Sequence, residues 1–360
     1  MGRAVRAGAE LTELLRELVE LESPTGDTAA MQARMAAELE GLGGAVALDG
    51  GHVRADFAGA GPPLLLLGHL DTVWPRGTLK TMPWRVEDGC AFGPGAYDMK
   101  GGLVVLLEAA RRAGTGRALR VVLTADEEIG SPTARALLAE AAEGTAAAFV
   151  VEPPTPEGNL KTARKGLGRF ELRIAGRAAH AGTNLAAGAS AIEELARLVL
   201  RLHALNDAGS GVSVNVGVVE GGTRENVVAA SARALVDVRV STFADRDRLV
   251  AILQGLEPET PGTSLELGGG WTRPPLEPSP GSAALFAAAR EHGLELGLDL
   301  REASAGGGSD GNLVGALGVP VLDGLGAEGG GAHADDEHVV VDSLAVRAEL
   351  LARLLRSPGL

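Results

Sequence analysis

The sequence predicts an α/β protein in which a doubly wound, mostly parallel sheet is interrupted by a smaller inserted α+β domain. Short apolar runs alternate with helical patterns up to Val151, as in parallel sheets with helical crossovers. Near Gly168 the pattern changes to β-α-β-β-α-β, and α/β character returns after Pro274 and Pro275. The 360 residues also exceed the size at which one hydrophobic core keeps growing, which favours two domains.

The first domain begins with an amphipathic helix, because Leu11, Leu14, Leu15, Leu18 and Val19 recur at helical spacing. This pattern differs from a signal peptide. The elements predicted next are a helix at 28–42, strands at 45–48 and 53–57, a doubly buried strand of leucines at 64–67, a helix at 102–113, a strand at 119–124, a helix at 131–142 and a strand at 146–151.

The inserted domain has the order of a split βαβ sandwich. Its predicted elements are strand 169–174, helix 189–205, strands 212–219 and 226–240, helix 244–254 and strand 264–267. The elements predicted after it are helix 280–292, a glycine loop at 306–308, strand 319–322 and helix 342–355. The domains are therefore predicted as 1–167 joined with 275–360, and 168–274.

Charge and composition exclude some classes of partner. The net charge is −14, with 33 Lys and Arg against 47 Asp and Glu, which argues against nucleic acid and anionic membranes. No apolar run approaches the ~20 residues of a membrane span. Cys90 is the single cysteine and permits no internal disulfide, so a cytoplasmic location is expected.

Candidate chemical groups follow successive predicted strands. Glu127 and Glu128 are adjacent acids after strand 119–124, and successive side chains alternate in direction. One acid can hold a cation while the other faces water, although such a turn is often only solvated. His69 follows the leucine strand as a possible metal ligand, and Asp71 can accept its other ring N–H. A capping Asp beside a buried His is the alternative.

Three further residues suit the same chemistry. Asp98 lies in a glycine-flanked segment that opens a helix, where its two oxygens can bridge two cations or simply cap the helix. Glu152 ends the next strand, although a Glu before proline is often a surface residue. His333 follows three glycines that let its loop fold into a cleft. His180 lies in the inserted domain, so a role in the same site requires reach across domains.

Together these segments form seven motifs in a fixed order, at 68–73, 95–102, 126–130, 151–153, 176–182, 307–310 and the loop of His333. The chain thereby resembles, over essentially its whole length, the co-catalytic di-zinc metallopeptidases and amidohydrolases. This family includes glutamate carboxypeptidase, acetylornithine deacetylase, succinyl-diaminopimelate desuccinylase and the aminoacylases. The residues at 73–79 and 93–95 look closest to the glutamate carboxypeptidase branch.

The resemblance implies two Zn²⁺ per subunit, with Co²⁺ or Mn²⁺ as possible substitutes. One ion would be held by His69, Asp98 and Glu152, and the other by Asp98, Glu128 and His333. Asp98 would bridge the two ions.

The remaining implied roles concern catalysis and assembly. Glu127 would be the general base, and Asp71 would orient His69. His180 would donate to the oxyanion of a neighbouring subunit, which makes the inserted domain a lid and dimerisation element of a homodimer. The family often has a cis peptide after the bridging Asp, so a cis Asp98–Met99 bond is expected.

The implied substrate is a small peptide or an N-acyl amino acid, and the implied substrate-binding residues are Asn226, Arg239, Arg273 and Gly308. For Arg239, an exposed strand face is the alternative. Asn159 aligns where the glutamate-specific pattern has Lys, with Lys161 nearby, so recognition of a glutamate side chain stays open.

The resemblance thus implies a metal-dependent exopeptidase that releases a C-terminal or N-acylated amino acid. A deacylase acting on N-acetyl or N-succinyl amino acids is the alternative within the same chemistry. A non-catalytic metal-binding relative is a remote alternative, because such a protein should have lost the base or a ligand.

Overall fold

The computed structural model of the protein describes residues 8–114 and 116–357, so the few remaining residues of the predicted first domain lie outside it. The chain divides into two compact units. The first unit comprises the described residues of Met1–Ala163, Pro278–Ala305 and Ser309–Leu360. The second unit comprises Arg164–Glu277 and Gly306–Gly308. The glycine segment lies with the second unit, whereas the predicted boundaries put it in the first.

The helices of the described residues are α1 (Gly8–Glu20), α2 (Ala29–Gly41), α3 (Gly101–Ala113), α4 (Arg135–Ala142), α5 (Ala191–His203), α6 (Phe243–Gln254), α7 (Pro280–Glu295), α8 (Asp310–Gly315) and α9 (Val341–Arg356). The strands are β1 (Ala45–Asp49), β2 (His52–Phe57), β3 (Ala60–His69), β4 (Arg85–Glu87), β5 (Cys90–Phe92), β6 (Arg117–Thr124), β7 (Ala147–Val150), β8 (Leu160–Arg164), β9 (Gly166–Ala175), β10 (Ser213–Gly221), β11 (Ser231–Val240), β12 (Ser264–Arg273), β13 (Glu302–Ala305), β14 (Val321–Leu322), β15 (Gly329–Gly330) and β16 (His338–Val340). None of these helices is both long enough and apolar enough to cross a membrane.

The main sheet of the first unit has the order β1-β2-β6-β3-β7-β14. Strands β6, β3, β7 and β14 are parallel, and β2 and β1 form an antiparallel edge. Leu64 and Leu66 of β3 pack into the main core cluster, while Leu65 and Leu67 are equally buried. Burial on both faces explains the unbroken apolar run and confirms the predicted α/β class.

The second unit has an antiparallel sheet in the order β10-β11-β9-β12. Alternate residues of β11, among them Val236 and Val238, are buried in a core that also contains Leu195 and Leu198 of α5 and Leu249 of α6. This arrangement is the predicted split βαβ sandwich. Strand β10 lies at one edge of the sheet.

Several element boundaries differ from those predicted. Helix α4 begins at Arg135 rather than at 131, because Gly130 and Ser131 both have positive φ angles, of 95° and 54°. Asn226 lies before β11, in a turn where Val227 N donates to Arg224 O. The small sheet β15-β16-β5-β4 was not predicted, since strands of two or three residues are too short to show alternation.

Candidate metal centre

The candidate residues lie at one edge of the main sheet. His69 is the last residue of β3, Glu127 and Glu128 form a short turn after β6, and Glu152 follows β7. These three strands are parallel neighbours in the order β6-β3-β7, so their carboxyl ends meet at the same edge. Ligands of open α/β sheets collect at this position.

Two loops add the remaining ligand candidates. Asp98 lies in the π-helical turn Ala96–Lys100, where its own φ and ψ are non-helical, and the Asp98–Met99 peptide bond is cis, as predicted. His333 has a φ of 62° and follows Gly331, whose φ is 72°. A positive φ is uncommon for a non-glycine residue such as His333, and the His333 ring lies beside the Asp98 carboxylate.

The side chains converge within a few ångströms. His69 Nε2 lies 3.2 Å from Asp98 Oδ1 and 3.7 Å from Glu152 Oε1. His333 Nε2 lies 3.5 Å from Asp98 Oδ2 and 3.4 Å from Glu128 Oε2. Asp98 therefore offers one oxygen to each imidazole, as a bridging carboxylate would.

This donor set fits divalent cations. Two donors that are each about 2.0–2.2 Å from one tetrahedral zinc lie roughly 3.3–3.6 Å apart, close to the separations between these side chains. Glu128 Oε1 is buried and has no hydrogen-bond partner among the described residues, which is costly unless a ligand satisfies it. Carboxylate and imidazole donors are also the types that zinc, cobalt and manganese accept.

Glu127 lies beside the same donors. Ligand atoms of His69, Glu127 and Glu152 all lie within 4.8 Å of one another, as do those of His69, Asp98 and Glu128. The resemblance implied a different division of these residues between two ions. Glu127 is therefore close enough to be either a base or a ligand.

Asp71 contacts the His69 ring as predicted, but mainly through its backbone oxygen rather than through its carboxylate. His69 Nδ1 lies 2.9 Å from the backbone oxygen of Asp71 and 3.4 Å from its carboxylate Oδ1. The Asp71 carboxylate also accepts hydrogen bonds from the backbone N–H groups of Glu127 and Glu128 and from the Thr25 hydroxyl. Asp71 thus holds the Glu127-Glu128 turn as well as the His69 ring.

The charges shift the pKa values of these groups. Contacts with Asp98 and Glu128 raise the pKa of His333 to about 10. Burial lowers the pKa of His69, but contacts with Asp71 and Asp98 outweigh it and raise that pKa well above its usual value. Burial alone would raise the pKa of Asp98, yet the two imidazoles hold it below its usual value. The Asp98 carboxylate is thus charged at neutral pH, the form in which a carboxylate binds metal.

Glycine allows two ligand-bearing segments to touch through their backbones. A Cβ atom added at Gly102, near the start of α3, would lie 2.0 Å from Val151 O. Val151 immediately precedes Glu152, and Gly102 lies four residues after Asp98. This contact sets the distance between the two segments without any side chain.

The other predicted residues lie in the second unit, in two groups. His180 Nδ1 accepts hydrogen bonds from Gly182 N and Thr183 N, and Ala181 N donates to Asn226 O. His180 is exposed, and because its Nδ1 is an acceptor, the neutral ring carries its proton on Nε2.

The second group contains Arg239, Arg273 and Gly308. Both arginines are paired with Leu167 in the sheet register, so all three side chains lie on one face. A Cβ at Gly308 would lie 2.5 Å from Arg273 Cδ, and Arg239 Nη1 donates to Gly306 O. The Arg239 side chain is thus hydrogen-bonded to the glycine segment 306–308 and does not simply lie on an exposed strand face.

Sequence reasoning missed Glu337. Its side chain is fully buried, and its carboxylate accepts from the backbone N–H groups of Gly95, Tyr97 and Asp98 and from the Trp74 indole. Nothing in the acidic segment 335–337 distinguishes it from a solvated turn, because burial by distant segments leaves no local pattern.

Comparisons with known proteins agree with this geometry. A sequence profile described as Peptidase family M20/M25/M40 matches residues 65–357. Carboxypeptidase G2 from Pseudomonas sp. is 31% identical over 96% of this chain and 88% of its own. A succinyl-diaminopimelate desuccinylase from Acidiphilium cryptum is 31% identical over 96% of this chain and 98% of its own. Among solved structures, aminopeptidase PepT from Bacillus cereus has a TM-score of 0.84 at 21% identity and covers 98% of this chain and 99% of its own, which shows the shared fold.

Proposed function

The chain belongs to peptidase family M20/M25/M40, and we propose that it is a di-zinc exopeptidase that releases a C-terminal amino acid by amide hydrolysis. One observation carries this proposal. Asp98 places one oxygen near His69 and the other near His333, and Glu152 and Glu128 complete the two ends of this chain of contacts. The likeness to carboxypeptidase G2 along nearly the whole chain favours an exopeptidase.

Each ligand candidate has a place in the proposal. His69, Asp98 and Glu152 would hold one ion, and Asp98, Glu128 and His333 the other. When bound, such ions supply Lewis acidity, which polarises the amide carbonyl and makes water more acidic.

Protein groups carry the proton transfers. Glu127 would accept the proton of the attacking water at its carboxylate and deliver it to the leaving amine nitrogen. Asp71 fixes the turn that carries Glu127, through the Glu127 N–H at 3.1 Å from its Oδ1. The Nε2–H of His180 is suited to donate to the carbonyl oxygen as negative charge develops there.

Substrate recognition would fall to the arginine group of the second unit. Arg239 and Arg273 lie on one face of its sheet, with Gly308 against Arg273. Guanidinium groups suit the free carboxylate of a C-terminal amino acid. Asn226 is included among the proposed substrate-binding residues only because of the family resemblance.

Deacylation of N-acyl amino acids is the second candidate function. Where a glutamate-specific lysine is expected, Asn159 Oδ1 accepts from Arg301 N, and Lys161 Nζ donates to Pro153 O at 2.7 Å. Both groups are thus engaged with the backbone of their own unit. This weakens the case for glutamate as the released residue and favours a wider set of substrates.

A substrate panel tests the two functions. With the enzyme loaded with zinc, we expect dipeptides and N-aroyl amino acids to have kcat/KM values at least about tenfold above those of N-acetyl and N-succinyl amino acids. Amidation of the terminal carboxylate should lower kcat/KM by about 10- to 100-fold, the effect of losing a hydrogen bond to a charged group. Faster deacylation would establish the alternative, and no hydrolysis of any member would refute both.

We also propose a homodimer formed through the second unit. Exposed apolar side chains line a groove between α5 and the edge strand β10, with exposed fractions of 47% for Ile192, 74% for Leu200 and 56% for Val219. An open strand edge beside an apolar surface is suited to pairing with a second copy. In such a dimer, the partner subunit's His180 would serve the metal centre.

Mixed dimers test this arrangement directly. Glu127→Gln and His180→Ala chains carry different affinity tags and are co-expressed, and the doubly tagged dimers are isolated. If His180 acts on the partner's site, one site of each mixed dimer is complete, and about half of the wild-type activity returns. If the mixed dimers are as inactive as both parents, the shared site is wrong. A single-tag species that light scattering shows to be monomeric would rule out the dimer.

A further inference from the structure

We propose that Glu337 is a positioning residue that sets the geometry of the metal centre through Asp98, an inference that rests on the proposed metal-dependent function. Glu337 Oε1 accepts from Asp98 N at 2.9 Å and from Tyr97 N at 3.0 Å. Oε2 accepts from Gly95 N at 2.9 Å and from Trp74 Nε1 at 2.6 Å. One carboxylate therefore receives four donors.

These contacts hold the backbone on which Asp98 is carried. Two of the donors are the N–H groups of Asp98 and of Tyr97 before it, so the carboxylate restrains the turn at the ligand itself. The Asp98 oxygens lie 3.2 Å from His69 and 3.5 Å from His333, and a small change of the turn would move both separations. Metal sites tolerate such changes poorly, because ligand distances are narrowly set.

Glu337 also belongs to the segment that carries His333. Its backbone N donates to Ala334 O, and its backbone O accepts from Gly93 N. The next residue, His338, begins β16 and pairs with Phe92 of β5. The loop of one candidate ligand is therefore anchored by the residue that restrains another.

The Trp74 contact extends this link to a third segment. Trp74 lies three residues after Asp71, which supports His69 and the Glu127-Glu128 turn. Segments carrying Asp71, Asp98 and His333 thus meet at one buried side chain. Glu337 therefore joins three segments that each carry or support a ligand candidate.

The decisive variant is Glu337→Gln, which replaces one acceptor oxygen by an amide nitrogen that is itself a donor. Co²⁺ is the probe, because its visible absorption reports coordination geometry. We expect an altered cobalt spectrum, about 10- to 100-fold weaker Co²⁺ binding and a lower kcat with little change in KM, as for residues that orient metal ligands. Glu337→Asp keeps the charge but has a shorter side chain, and it is the second variant to use if Glu337→Gln does not fold. It should also alter the cobalt spectrum, because the shorter carboxylate cannot reach all four donors.

Glu194→Gln is the matched control. Glu194 is also a buried carboxylate, and it accepts from the backbone N–H groups of Glu259 and Thr260 in the second unit. We expect this variant to lose thermal stability and to keep the wild-type cobalt spectrum. A folded Glu337 variant with wild-type spectrum and affinity would overturn the inference, as would an equal spectral change in Glu194→Gln. Failure of the wild-type protein to bind Co²⁺ would instead refute the proposed function.

Discussion

Replacement of Glu127 by Gln is expected to lower kcat by about 10²- to 10⁴-fold while bound metal stays at the wild-type level. Glutamine keeps the shape of the side chain but cannot accept a proton at neutral pH. The turn itself should persist, because the Glu127 N–H, rather than its side chain, is bonded to Asp71. Amine release measures kcat, and elemental mass spectrometry measures the metal content.

The surface variant Glu143→Gln is the control, since its side chain is exposed and it lies before the start of β7, whereas Glu152 follows the end of that strand. It should match the wild type in both measurements. The ligand atoms of His69, Glu127 and Glu152 lie within 4.8 Å of one another, so a ligand role is the competing interpretation. Loss of metal together with activity in Glu127→Gln would establish that role and exclude Glu127 as a simple base.

Replacement of Asp98 by Ala should remove metal as well as activity. Both Asp98 oxygens face an imidazole, at 3.2 Å from His69 and 3.5 Å from His333, so the change removes a donor from each end of the site. We expect loss of at least one ion per subunit and a fall in kcat/KM of at least about 10³-fold, because the Lewis acidity of bound ions lowers such barriers by several kcal/mol.

The control for this variant is Asp299→Ala, which removes an exposed carboxylate paired with Arg301 in the same unit. Isothermal titration calorimetry of zinc into the metal-free protein gives the number of ions that each variant binds. Full wild-type metal content in Asp98→Ala would contradict the bridging role. Recovery of activity at high zinc concentration would show that Asp98 contributes affinity rather than catalytic geometry.

The ligand candidates at strand ends were predictable because a simple rule connects sequence to position. His69, Glu128 and Glu152 each come at or just after a buried run, and parallel strands bring such residues to one edge. His333 and Asp98 are far apart in the chain, yet His333 Nε2 lies 3.5 Å from Asp98 Oδ2. Only the family resemblance predicted that these two residues lie together.

Other features had no local signal. Glu337 lies in an acidic segment whose burial depends on the loops of Trp74 and Asp98, so no local pattern distinguishes it from a solvated residue. The ring of His69 is closer to the backbone oxygen of Asp71 than to the Asp71 carboxylate. Which of these two acceptors lies nearer depends on the backbone conformation after β3, which the sequence does not reveal. The late start of α4 depends on the left-handed conformation of Ser131, which is rare outside glycine.

The backbone contact between Gly102 and Val151 limits which substitutions related sequences can accept near the metal centre. Neither partner contributes a side chain to it, so mutation can disturb it only by adding atoms at Gly102 or by breaking the fold. The residues proposed to bind substrate, such as Arg239, lie in the second unit and take no part in this contact. Natural substitutions in the second unit can therefore alter the proposed specificity while the spacing between the segments of Asp98 and Glu152 is inherited unchanged.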